Sequence, residues 1–258
     1  MTELTPRKLD RGGGDTIAYH RVPGKLPGVV FCTGYRSNMN GAKVTAVESL
    51  CRTQGRACIR FDYRGHGESS GSFEHLTLSD WIADAIAVID ELAQGPQVLV
   101  GSSMGGWIMV RAALARPQRI AGLIGVAAAP DFTEDLMWRG FPPEVRAAIE
   151  RDGLWRGVDP DNGILTVVTR ALIDDGRMHL VLRQTIPLDV PVRLLHGMED
   201  KEVPWVTSQR LAERLHGTDV TLTLVKGGAH RLSEPNELAL LLRVLDDLCR
   251  QIETAPRP

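Results

Sequence analysis

No two cysteines in this chain stand at a spacing that clamps a metal or forms a redox pair. The four present, Cys32, Cys51, Cys58 and Cys249, include no Cys-x-x-Cys, and no His-Glu-x-x-His string occurs, so no metal centre is implied. Cys32 and Cys58 lie inside apolar strand-like runs, which reads as buried free thiols in a reducing compartment. An excess of charge of one sign is missing too. The 30 Lys and Arg against 32 Asp and Glu leave a net charge of −2, with no basic stripe for nucleic acid and no acidic tail. No apolar run approaches the roughly 18–20 residues that cross a bilayer. The opening stretch from Met1 to Asp10 is polar and lacks the apolar core of a secretory signal. Together these absences predict a cytoplasmic protein with no membrane span and no nucleic-acid partner. At 258 residues the chain is long enough to bury a sizeable core without cross-links.

What the sequence does contain is a regular exchange of apolar strand runs and helical periodicity. Alternation around Gly12-Gly13-Gly14 predicts a hairpin, and Pro23-Gly24 and Pro27-Gly28 read as turn punctuation. Strands are expected at Val29–Cys32, Ala57–Phe61, Val98–Val100, Ile120–Ala127, Val192–Leu195 and Val220–Val225. Helices are expected from about Gly41 to Gly55, from Thr77 to Gln94, after Ser103, from Pro204 to Leu215, and from Pro235 to Ile252. This order implies an α/β fold built on a mostly parallel, doubly wound sheet. The pattern loosens between about residues 131 and 187. That stretch holds a charged helix at Glu144–Asp152 and an amphipathic segment at Ile164–Asp175, and is too long for a simple connection. It reads as a small helical cap inserted in one domain spanning residues 1–258.

The chemistry centres on Gly101-Ser102-Ser103-Met104-Gly105. A buried strand runs into Gly-x-Ser-x-Gly and out into a helix, the context of a nucleophile elbow. Ser103 then stands at the carboxyl edge of the sheet over a helix N-terminus that favours developing negative charge. A serine hydroxyl needs a histidine to take its proton and a carboxylate to orient that imidazole. In a doubly wound sheet both belong just after later strands. Asp200 and His230 meet this condition, in the chain order Ser, acid, His. His20, His66 and His75 precede the serine, His179 falls in the cap, His216 ends a helix, and His196 reads as shaping the turn before Asp200. Asp131, just after an earlier strand, is the competitor for the acid.

Acyl transfer also needs oxyanion donors. The N–H of Met104, next to the nucleophile, and that of Tyr35, in the Thr33-Gly34-Tyr35 loop, are the candidates. Asp62-x-Arg64-Gly65-x-Gly67-x-Ser69 lacks the lysine of a P-loop and reads as a turn with local Asp and Arg bonds. Trp107 beside the elbow, with Trp138 and Phe141 of the cap, are candidates for lining an apolar substrate pocket.

The strings Gly-Ser-Ser-Met-Gly-Gly-Trp (101–107), Asp-Tyr-Arg-Gly-His-Gly-Glu-Ser (62–69), Leu-Leu-His-Gly-Met-Glu-Asp (194–200) and His230-Arg231 resemble the α/β-hydrolase superfamily. Gly34 to Gly41, Cys58 to Tyr63 and Ile124 to Ala127 resemble in particular its mitochondrial abhydrolase-domain palmitoyl-protein thioesterases, which also serve as acyl-glucuronide esterases. The resemblance implies a Ser103/Asp200/His230 triad, hydrolysis of carboxylic esters or thioesters with a hydrophobic acyl part, a small-molecule or acylated-protein substrate, and no cofactor. Set against that family, the polar opening stretch leads to the expectation of no presequence, and the cap is where the match is expected to be poorest. Two other readings stand beside this one. An aminopeptidase or amidase would need an acidic pocket, for which Glu134, Asp135 and Glu144 are candidates. A binding protein on a catalytically dead hydrolase scaffold is the non-enzymatic alternative.

Overall fold

Val29, Val30, Phe31, Val98, Leu99 and Val100 have essentially no exposed surface, because their strands lie mid-sheet with helices on both faces. The computed structural model describes residues 5–158 and 165–255. Its main sheet has eight strands in the order β1-β2-β4-β3-β5-β6-β9-β10. They are β1 (Arg7–Gly12), β2 (Asp15–Val22), β3 (Lys25–Cys32), β4 (Arg56–Phe61), β5 (Gln97–Ser102), β6 (Ile120–Val126), β9 (Val192–Gly197) and β10 (Val220–Val225). The β1–β2 hairpin and the β2–β4 pair are antiparallel. All pairs from β4 to β10 are parallel. The carboxyl ends of β3, β5, β6, β9 and β10 therefore line up along one edge.

Helices α1 (Ala42–Thr53) and α7 (Pro235–Thr254) cover one face. Val44, Val47 and Cys51 of α1 and Leu241, Leu245 and Leu248 of α7 recur at helical spacing and bury against Val29, Val98 and Ile124. The other face is covered by α2 (Leu78–Ala87), α3 (Met104–Ala115) and α6 (Val206–Arg214), through Trp81, Ile108 and Leu211 among others. Thr77 and Asp80 form a reciprocal capping box at the start of α2, which satisfies amides that a helix start leaves bare. A π-helical turn, Val88–Leu92, follows α2.

Two local expectations differ from the structure. Strand β3 begins at Lys25 and runs through Pro27-Gly28, so only Pro23-Gly24 turns the chain. The pairing of β3 with β4 shifts register between Lys25 and Val29, so no ladder bond is asked of a proline that has no N–H. Between β6 and β9 the chain forms a π-helical turn (Thr133–Trp138), α4 (Pro143–Asp152), an antiparallel pair β7 (Leu154–Val158) and β8 (Leu165–Thr169), and α5 (Arg170–Arg177). The amphipathic segment at 164–175 is thus a strand followed by a helix. Thr169 makes the break, its hydroxyl accepting the Leu172 N–H as an N-cap. Ile164 lies outside the described residues.

The tightest packing is at the start of α3. A methyl on Gly101 would meet Gly106 Cα at 2.8 Å, and one on Gly105 would overlap the Cys32 carbonyl oxygen. Both obstacles are backbone, so neither can rotate away. Gly105→Ala is expected to destabilise the protein by about 3 kcal/mol, the upper range for overpacking, as a lowered midpoint in urea denaturation.

Candidate active site

Strand β5 delivers Ser103 at φ 54° and ψ −121°, a region that costs a non-glycine residue about 1–3 kcal/mol. The surroundings fix it there. Its N–H donates to the Val126 carbonyl (3.0 Å), and its own carbonyl accepts from Gly106 (2.8 Å) and Ala129 (3.0 Å). The side chain is thereby turned off the strand end, over the N-terminus of α3.

The loops after β9 and β10 bring the partners. Gly197 has no room for a side chain against the Gly228 carbonyl, and the Glu199 N–H donates to that carbonyl (2.9 Å). So interlocked, the two loops place His230 Nδ1 2.7 Å from Asp200 Oδ2 and His230 Nε2 3.1 Å from Ser103 Oγ. Asp200 Oδ1 accepts from the N–H groups of Glu202 (2.9 Å) and Val203 (2.8 Å). Its side chain has no exposed surface. Burial alone pushes that carboxyl up, but hydrogen bonds from His196, His230 and the Val203 N–H outweigh it and hold the group well below the usual carboxylate range. The carboxylate stays charged, as orienting an imidazole requires.

Asp131, the competing acid, is committed elsewhere. Its two oxygens accept from the N–H groups of Val181 (2.8 Å) and Leu182 (2.9 Å), with Arg183 at 3.3 Å. Burial pushes its carboxyl up, against the pull of those donors. Cys32 at the end of β3 is no rival nucleophile, since burial pushes its thiol up to about 12.

The loop after β3 lies against the serine: a methyl on Gly34 would sit 3.4 Å from Ser103 Cβ. Among the described residues, the turn and loop hydrogen bonds use neither the Tyr35 nor the Met104 N–H. The Tyr35 ring is wedged edge-on against Phe73, Trp81 and Phe132. The next residue, Arg36, has φ 55°, and its N–H donates to His66 Nε2 (3.2 Å). His66 sits among Tyr63, Phe73 and Trp81, where burial pushes it down to about 4, so the ring is neutral and able to accept. Asp62 of the glycine-rich string accepts from the Met39 (2.6 Å) and Glu68 (2.9 Å) N–H groups, and Arg64 bonds Asp84 (2.8 Å).

The three pocket candidates separate. Trp107 is enclosed in the main core, its Nε1–H donating to the His179 carbonyl (3.0 Å). Trp138 and Phe141 pack against Ile149, Val168 and Ile173 in a cluster of their own. The three are thus divided between two separate clusters. Sequence reasoning missed His66 and His196; both sit one residue before a glycine in the very strings that drew attention, but a histidine's partner is set by tertiary contact.

Residues 29–239 match the alpha/beta hydrolase family model. The chain belongs to the alpha/beta hydrolase family. It is 43% identical over 248 residues, 95% of its own length and 80% of the relative's, to human "Palmitoyl-protein thioesterase ABHD10, mitochondrial". The solved structure of mouse alpha/beta hydrolase domain-containing protein 10 superposes with a TM-score of 0.90 at 40% identity, covering 96% of this chain and all of that one. A crystal structure from Agrobacterium vitis S4 gives 0.89 at 35% identity, covering 95% and 97%. The human, cattle and mouse relatives are all named mitochondrial, which overturns the cytoplasmic placement. The four thiols are buried and free, but any reducing compartment permits that, so they never distinguished the two locations. Among the described residues, no helix is long and apolar enough to cross a membrane.

His66 carries a pH signature. The unfolded chain takes its proton near 6.5 and the folded protein only near 4, so the stabilising effect is complete above 6.5 and is lost as pH falls toward 4. From pH 7 to pH 5 this amounts to about 2 kcal/mol. His66→Gln is expected to remove that part of the acid sensitivity, measured as the difference in urea midpoints at the two pH values.

Proposed function

We propose that this protein hydrolyses carboxylic esters or thioesters with a hydrophobic acyl part, through an acyl-enzyme on Ser103. The observation that carries the reading is the unbroken relay from Ser103 Oγ through His230 to Asp200, at 3.1 and 2.7 Å. The name of the human relative, a palmitoyl-protein thioesterase, supports the same bond type.

In this mechanism Ser103 Oγ attacks the acyl carbonyl as His230 Nε2 takes its proton. The negative oxygen of the tetrahedral intermediate is held by the Met104 and Tyr35 N–H groups, each contributing roughly 3–4 kcal/mol. Collapse breaks the bond to the leaving oxygen or sulfur, which receives the proton from His230. A water then enters, gives a proton to the same nitrogen and attacks the acyl-enzyme. The acid is released and Ser103 regains its hydrogen. Asp200 stays ionised throughout and balances the imidazolium.

The segment between β6 and β9 serves as the cap in this reading. Phe132 packs on both Tyr35 and Trp107, and Arg156 pairs with Glu74 (2.6 Å), so the segment reaches across the edge from which Ser103 projects. The amide-cleaving alternative loses support from charge. Glu134 pairs with Arg177 (2.8 Å), and Asp135 faces Arg183, Arg139 and Arg210, so neither is a bare carboxylate awaiting a substrate amine.

A fluorophosphonate probe is expected to label the wild type and not Ser103→Ala, which should lose about 10⁴–10⁶-fold in turnover of p-nitrophenyl esters. Equal labelling of both proteins would end the reading. Across ester and thioester substrates of rising chain length, kcat/KM is expected to rise; a flat series would remove the hydrophobic acyl part from it.

A further inference from the structure

Asp200 Oδ2 is shared by two imidazoles. His196, the residue just before Gly197 on β9, has no exposed surface, and its Nε2 lies 3.1 Å from the same oxygen that receives His230. That nitrogen also lies 2.9 Å from the Val203 carbonyl. Both neighbours accept and neither donates, so Nε2 carries the hydrogen. The opposite nitrogen, Nδ1, is 2.7 Å from Ser208 Oγ on α6. In the neutral ring it accepts the serine hydroxyl, which fixes the tautomer from the other side. The carboxylate thus has four donors, two backbone N–H groups on Oδ1 and two imidazole N–H groups on Oδ2.

We propose that His196 is a positioning residue for the hydrolysis, acting through Asp200: its Nε2–H holds Oδ2 in line with His230 and limits how strongly the carboxylate draws the His230 proton. This rests on the Ser103, His230 and Asp200 assignment above. The backbone donors on Oδ1 fix one end of the carboxylate. Without His196, Oδ2 is free to turn about that end, and its charge, no longer shared between two donors, bears on His230 alone. Both effects are readable. Turning out of line lowers kcat, and the stronger pull on the His230 proton raises the pH at which His230 becomes an active base. Other charged groups around His230 are Glu202, whose carboxylate lies 3.7 Å from Nε2, its chain neighbour Arg231, and Lys43, which donates to the Arg231 carbonyl and to Ser233 Oγ. The loop also carries Glu199 and Lys201 beside Asp200. All five remain in the variants, so a shift in the acid limb is attributable to position 196.

The test is the pH dependence of kcat/KM for a p-nitrophenyl ester with wild type, His196→Ala, His196→Asn and His196→Gln. A glutamine amide reaches Oδ2 and has two hydrogens, one for Asp200 and one for the Val203 carbonyl. An asparagine amide reaches only toward Ser208. Ala and Asn are expected to lower kcat about tenfold with KM nearly unchanged, and to move the acid limb upward by about half a pH unit to one unit. Gln is expected to restore both. If alanine prevents folding, the Asn and Gln pair carries the comparison, each checked by circular dichroism and a melting curve. An acid limb that stays in place in folded Ala or Asn protein overturns the proposal, as does a Gln variant no better than Asn. Loss of the underlying assignment looks different: Ser103→Ala or His230→Ala would keep wild-type turnover, whatever residue stands at 196.

Discussion

One backbone conformation organises this molecule. Ser103 occupies a dihedral region that only the surrounding contacts make tolerable. Those contacts come from β6 on one side and from the carboxyl end of β3 through Gly105 on the other. The central strands must therefore lie at their observed spacing with α3 pressed onto them, and large, enclosed apolar side chains on both faces of the sheet supply the force that presses it. Relaxing the serine would move its hydroxyl away from His230, and relaxing the packing would release the serine.

Buried carboxylates do the corresponding work in the loops. Asp62, Asp84, Asp131 and Asp200 have enclosed side chains, and each accepts backbone N–H groups from another stretch or from its own loop. This is how irregular chain is kept in place where no ladder of strand bonds is available. Burial leaves Asp62, Asp84 and Asp131 with raised carboxyl pKa values. Asp200 alone among them is drawn down: burial raises it, and hydrogen bonds from His196, His230 and the Val203 N–H together outweigh that.

Much of this was readable from residue order. Six of the eight main strands are expected within a few residues, and a hairpin is expected where β1 meets β2, because their runs are bounded by glycine or charge. The Gly-x-Ser-x-Gly string and the order of serine, acid and histidine identified Ser103, Asp200 and His230 as residues to bring together, since strand ends in a parallel sheet share an edge. What escaped depends on contacts between distant segments. The β7–β8 pair was hidden because Leu154–Val158 and Leu165–Thr169 are short, and amphipathicity over 164–175 does not separate a strand with a capped helix from one helix. Asp131 follows its strand as closely as Asp200 follows another; only the amides of Val181 and Leu182 reveal its different role. Trp107 next to the elbow suggested a lining residue, whereas the helix turns it into the core.

That same Asp131 joins residues fifty positions apart, the entrance and exit of the long excursion between β6 and β9. With its neck tied, the excursion costs little more in chain entropy whether it is long or short, since closure depends only weakly on length. What lies beyond the knot can therefore lengthen, shorten or change sequence without loosening the strand ends from which it springs.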